Sequence, residues 1–213
     1  MTDDRWAAVQ WARLRRTVRR STPARALLGR QVVLCVGLPR TGTTSLHLAL
    51  QRLGIASAPR STALADGDTA SRDQLLLRYD AFSDLPVPFV VPQLLERFPD
   101  AVLVATWRPL EPWLESMEWL LGPGRDALSP QDRAVGDQLH ERHYGTVHFD
   151  HDRLSEVHRR HAEQLDAWSA RPELRMVSIR TDELGWEPLC VALGRRVPRA
   201  PFPHAHRRRC DSD

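Results

Sequence analysis

The chain has 213 residues, with thirty basic side chains against 27 acidic ones, a formal charge of +3 and no lysine, so every fixed cation is an arginine. That length fits one domain with a real core and excludes two large ones. The near-balance of charge suits a small anionic ligand better than a long nucleic acid. No zinc-finger or aromatic RNA-binding pattern accompanies the arginines, which cluster only between Arg13 and Arg20 and at Arg207 to Arg209.

Residues 5–20 read as a basic helix carrying Trp6, Val9, Leu14 and Val18, ended by Ser21-Thr22-Pro23. A helix lying across the domain is the expectation, with binding to a membrane surface or a partner as the alternative. Arginines interrupt every apolar stretch near this end, so no secretory segment is expected, and no window is apolar enough to span a bilayer. Cys35, Cys190 and Cys210 are too far apart for a disulfide framework or a paired-cysteine metal site. Free thiols in a reducing, cytoplasmic setting are therefore expected.

Gln31 to Gly37 reads as a fully buried strand and Thr43 to Leu53 as the helix after it, closed by Gly54. Ile55 to Ala58 is a candidate short strand, Pro59 to Ser71 a surface loop, and Leu75 to Tyr79 a helix end. Phe89 to Phe98 suits an amphipathic helix and Ala101 to Trp107 a second buried strand, after which Pro109 opens another helix in its first turn. From Ser129 the pattern is helical and polar, with a long helix at Asp150 to Ser169. A strand at Leu174 to Ile179 and a helix at Trp186 to Leu193 follow. Buried strands alternating with helices predict an α/β fold, a three-layer α/β/α domain on a parallel sheet.

The chemistry starts where the strand Val32 to Val36 runs into Gly37-Leu38-Pro39-Arg40-Thr41-Gly42-Thr43-Thr44 and then into a helix. Strand, glycine-bounded loop and helix in that order make a phosphate-binding loop. The backbone curls so that successive N–H groups face one oxyanion, and the helix N-terminus adds positive potential. Hydroxyls of Thr41, Thr43, Thr44 and Ser45 are further donors. A nucleotide triphosphatase would have Gly-Lys-Ser/Thr here, whereas this chain has Gly42-Thr43-Thr44, and the loop's cation is Arg40.

Pro39-Arg40-Thr41-Gly42-Thr43-Thr44 resembles the 5'-phosphosulfate loop of the sulfotransferases, which typically reads Pro-Lys-Ser-Gly-Thr-Thr. The resemblance runs from about residue 31 to 206, leaving residues 1–30 as the basic helix and 207–213 as a polar tail. It implies a P-loop nucleotide-binding fold of the kind found in short bacterial and fungal sulfotransferase-like proteins. It also implies 3'-phosphoadenosine 5'-phosphosulfate (PAPS) as co-substrate, bound through Pro39, Arg40, Thr41, Gly42, Thr43 and Thr44. Arg40 stands where the family often has its catalytic lysine. It keeps the charge but is a poorer proton donor, so it is expected to act as an electrostatic stabiliser.

In the resembled family an Arg at the end of a later strand and a Ser eight residues on bind the 3'-phosphate. Arg108 and Ser116 have that spacing, and an Arg at a strand end offers a planar fork for a phosphate. Between the two anchors lies Asp84, in Ser83-Asp84-Leu85-Pro86. It is read either as the general base, as some sugar sulfotransferases place theirs in a comparable region, or as a turn cap. His140, His143, His148, His151, His158 and His161 form a second candidate set. Only His158 and His161 share a helical face, so no metal site is expected, but one of the set could line the acceptor pocket or be the base. The resulting expectation is a PAPS-dependent transfer of sulfonate to a hydroxyl or amine of a small-molecule or carbohydrate acceptor, without a metal. The alternatives are a P-loop kinase or other nucleotide phosphotransferase, and a noncatalytic nucleotide-binding module.

Overall fold

Five consecutive apolar residues, Val32 to Val36, can be hidden from water only if both faces of their strand are covered. The computed structural model describes residues 31–58, 60, 62–64 and 69–205 and shows how they are hidden. The expected helix at 5–20, the arginines at 207–209 and Cys210 lie outside the described residues.

Strand β1 (Val33–Cys35) leads through the loop into helix α1 (Thr43–Arg52). Then come β2 (Ser57–Ala58), α2 (Thr69–Arg78), β3 (Ala81–Phe82), α3 (Val91–Arg97), β4 (Val102–Trp107) and α4 (Leu110–Leu121). The chain continues through α5 (Pro123–Asp126), α6 (Pro130–Tyr144), α7 (His151–Ser169), β5 (Arg175–Arg180) and α8 (Trp186–Leu193). The five strands form one parallel sheet in the order β2-β3-β1-β4-β5.

Period-two alternation divides the strands between two cores. Val32, Leu34, Val36, Phe82, Leu103 and Ala105 face one side, under Leu76 of α2, Val91 and Leu94 of α3, and Leu165 and Trp168 of α7. Val33, Cys35, Ala81, Val102, Val104 and Ile179 face the other, under Leu46, Ala49 and Leu50 of α1 and Trp186, Leu189 and Leu193 of α8. This is the expected three-layer α/β/α arrangement. A third cluster lies at the carboxyl ends of the strands, where Trp113, Leu114 and Met117 of α4 pack with Leu139 of α6 and Leu154 of α7. Each fully buried Leu or Val contributes about 1.5–3 kcal/mol by leaving water.

Two regions depart from the sequence reading. Strand β3 was unmarked because two residues are too few to carry a periodicity, yet it sits between β2 and β1 and aims the following residues, including Asp84, at the loop. Within the expected surface loop 59–71, Thr62–Leu64 forms a 3₁₀ turn, α2 begins at Thr69, and Leu64 is buried in the core. Helix starts are closer to expectation. Ser129 caps α6 by accepting from Asp132 N at 3.1 Å, and Asp150 caps α7 by accepting from Arg153 N at 3.0 Å. Cys35 and Cys190 are free and buried. Among the described residues no helix is long and apolar enough to cross a membrane.

Two histidines are built into these layers. His47 of α1 bonds to Ser57 Oγ of β2 at 2.8 Å, and His161 lies on α7 beneath the sheet. Burial holds both well below the ordinary 6.5, at about 4. As pH falls, the unfolded chain takes up these protons first, so the stability they contribute is complete above about pH 6.5 and lost towards pH 4. The melting temperature should hold from pH 8 to 7 and fall between 6.5 and 4. In His47→Gln that fall should be visibly shallower, and an unchanged slope would show that His47 is not titrating.

Candidate active site

Gly37 is where the loop meets the sheet. A Cβ there would lie 2.2 Å from Thr106 Oγ1 and 2.4 Å from Thr106 O, so only glycine lets the loop rest on the end of β4. Thr41 then turns inward. Its hydroxyl donates to Leu38 O at 2.6 Å, its N–H to the same oxygen at 3.3 Å, and Thr106 Oγ1 lies 2.7 Å away. With Thr41's only hydroxyl proton given to Leu38, the proton between the two threonines must come from Thr106. Thr181 Oγ1, just past β5, reaches Thr41 O at 2.9 Å and Trp107 O at 2.8 Å. Trp113 Nε1 of α4 donates to Pro39 O at 2.8 Å from a fully buried ring.

With its back held in this way, the loop presents its other side. Arg40 and Gly42 have φ of 70° and 98°, and this curl turns neighbouring N–H groups towards a common point. The first N–H groups of α1 have no carbonyl to bond within the helix, and Gly42 supplies no side-chain cap. Positive helix potential and open donors coincide there. They face a cleft of about 760 Å³ that Pro39, Arg40, Gly42, Thr43, Thr44 and Ser45 line.

Arg108 and Ser116, from the end of β4 and from α4, line the same cleft, as do Asp84 and His140. Arg40 Nε donates to Ser116 Oγ at 2.8 Å, and its guanidinium lies 5.0 Å from the Trp119 ring centre. Ser116 accepts there and keeps its own proton for an anion. Burial pulls the Arg108 guanidinium below its ordinary value, while the carboxylates of Asp182 and Glu115 pull it back. Asp84 has φ of 67°, and its Oδ1 accepts from Leu85 N at 2.9 Å. His140 is buried, stacks on Tyr144 at 5.5 Å, and is lowered to about 4 by burial and then by Arg60. It is therefore an uncharged imidazole at neutral pH.

The structure thus brings Pro39, Arg40, Gly42, Thr43, Thr44, Asp84, Arg108 and Ser116 to one cleft. Thr41 differs from the expected arrangement, since its hydroxyl faces the protein. Ser45 Oγ also has a protein partner, accepting from Ala205 N at 2.9 Å. Of the histidines, His158 and His161 line a separate cavity of about 350 Å³, where His158 Nε2 donates to Arg108 O at 2.9 Å. Among the described residues no group of three or more His, Cys, Asp or Glu could hold a metal ion.

Comparison with known proteins matches the sulfotransferase domain to residues 32–209. The chain belongs to that family. It is also similar to the Ava biosynthesis cluster protein M of Aspergillus versicolor, at 28% identity over 222 residues that span 85% of this chain and 81% of that protein. Family membership supports a sulfotransferase-like transferase activity for the chain.

The sequence reading of this sulfotransferase domain missed Trp113, Thr106, Thr181 and Arg60. Trp113 reads as one more apolar residue of an amphipathic helix, and its N–H role becomes visible only once α4 is docked. Thr106 and Thr181 carried a usable signal, since both stand at carboxyl ends of buried parallel strands, where open α/β sheets bind ligands. Thr181→Val keeps the shape but removes the proton shared by two carbonyls. It should cost about 1–3 kcal/mol. Urea unfolding with an unchanged midpoint would show that the hydroxyl does not hold the loop.

Proposed function

We propose that this domain transfers a sulfonate group from PAPS to a hydroxyl or amine of a small-molecule acceptor. One observation carries the reading: Arg40 of the loop and Ser116 of α4 are bonded to each other in the cleft that Arg108 and the open N-terminus of α1 also line. Two anion sites, one at the loop and one at Arg108 and Ser116, suit a ligand charged at both its 5' and 3' positions. Gly42-Thr43-Thr44 in place of Gly-Lys-Ser/Thr argues against a magnesium-dependent phosphoryl transfer.

When bound, PAPS would supply a sulfur that the acceptor oxygen attacks as the bond to the bridging 5'-phosphate oxygen breaks. The N–H groups of Thr43 and Thr44 would hold the 5'-phosphate. Arg40 would face the charge that develops on the bridging oxygen, stabilising it rather than donating a proton. Arg108 would grip the 3'-phosphate through its fork, with the Ser116 hydroxyl as a second donor. Asp84 would take the acceptor's proton, with the uncharged His140 imidazole as the other base in the same part of the cleft.

Calorimetric titration should give a much lower Kd for 3'-phosphoadenosine 5'-phosphate (PAP) than for AMP. Arg108→Ala should weaken PAP by about 1.5–3 kcal/mol, one to two decades. Equal affinity of the wild type for PAP and AMP would overturn the assignment. Arg40→Ala should slow PAPS turnover by on the order of a hundredfold or more, about 3–4 kcal/mol of barrier, and affect PAP binding less. Arg40→Lys should retain substantial turnover. Asp84→Asn and His140→Gln, compared at unchanged PAP affinity, should assign the base to whichever slows turnover more. A folded Arg40→Ala protein with full turnover would remove Arg40 from the chemistry.

A further inference from the structure

Four arginines line the cleft, and three of them are matched by groups beside them. Arg180 Nε lies 2.8 Å from Asp182 Oδ1. Arg108 sits in the field of Asp182 and Glu115, and Arg40 rests on Ser116 and Trp119. Arg60 is different, because among the described residues it is ion-paired with no carboxylate.

Its surroundings explain why. Arg60 reaches α6 at Gly136, where its Nη1 is 3.5 Å from the position a Cβ would take, so the guanidinium packs on nearly bare helix backbone. One turn on, His140 is 7% exposed, lines the cleft and feels the Arg60 charge. The carboxylate of Asp137 on the same helix is committed elsewhere, to Arg125 through two hydrogen bonds of 2.7 Å. Asp84 lines the same cleft as Arg60 and His140, and His140 stacks on Tyr144. This end of the cleft therefore has two proton acceptors and, in Arg60, a cation that forms no salt bridge with any carboxylate among the described residues. An anion arriving there gains a charge-assisted hydrogen bond from a partly desolvated guanidinium, whereas a neutral group leaves that cation unmatched.

We propose that Arg60 makes the acceptor end of the cleft selective for small hydroxylated acids, binding the carboxylate while the hydroxyl lies against Asp84 and His140. The inference deepens the sulfotransferase reading and rests on it for the word acceptor. Because it specifies which small molecules bind, it can be tested without turnover.

The experiment measures binding of three size-matched pairs, each an acid and a neutral counterpart, to the full chain: 4-hydroxyphenylacetate and its amide, glucuronate and glucose, 3-hydroxydecanoate and its amide. Each is titrated with and without saturating PAP, on wild type, Arg60→Gln, Arg60→Lys and Arg108→Ala. In at least one pair the wild type should favour the acid by about ten- to a hundredfold. Arg60→Gln should abolish that preference without changing the Kd of PAP or of the neutral member. Arg60→Lys should restore much of it, and Arg108→Ala should keep it. Equal binding of acid and neutral member in all three pairs, or a preference that survives Arg60→Gln, overturns the proposal. An Arg60-dependent preference in a protein that does not bind PAP would sink the PAPS reading and leave the hydroxy-acid site standing.

Discussion

Everything in the cleft depends on how closely the loop after β1 lies on the end of β4. The absent Cβ of Gly37 permits that approach, and Thr106, Thr41, Thr181 and Trp113 then bond the inward side of the loop to three other parts of the chain. A buried carbonyl left without a donor costs as much as several surface contacts contribute. The hydrogen bonds therefore determine which side of the loop faces inward. Once that side is satisfied by protein, the N–H groups on the other are left facing the cleft.

The chain reaches this arrangement without lysine. An arginine in the loop is longer and planar, and its geometry must be imposed by neighbours. Arg40 takes a positive φ that a non-glycine residue adopts at a cost of order 1–3 kcal/mol. Ser116 and the Trp119 face hold its guanidinium, and Trp113 anchors the preceding carbonyl. Helix α4 thus fixes the loop's cation as well as presenting Ser116 to the cleft.

The far end of the chain contributes to the same frame. Trp186 Nε1 donates to Ala200 O at 2.7 Å, Arg52 reaches Pro201 O at 2.8 Å, and Ala205 N bonds to Ser45 at the start of α1. Phe202 packs edge-on against Trp186 at 5.0 Å. These contacts run the Pro-rich segment along the loop helix, so that His204 and Ala205 line the cleft. The helix N-terminus is therefore flanked on one side by this segment and faces the cleft.

Local pattern was enough for the long elements. The apolar runs at Val32 to Val36 and Ala101 to Trp107 could only be doubly covered strands, and the helix at Trp186 to Leu193 was legible because length and composition agree there. The loop and the spacing of Arg108 from Ser116 were equally legible, since both lie within single stretches of chain. Strand β3 was not, because a two-residue strand is defined by its neighbours rather than by its own residues. Nor could sequence say that Thr41 faces inward, that Trp113 serves the loop, or that Arg60 and His140, eighty residues apart, share one end of a cleft. Those facts depend on long-range packing, where partners are chosen by burial and hydrogen-bond geometry after the elements have formed.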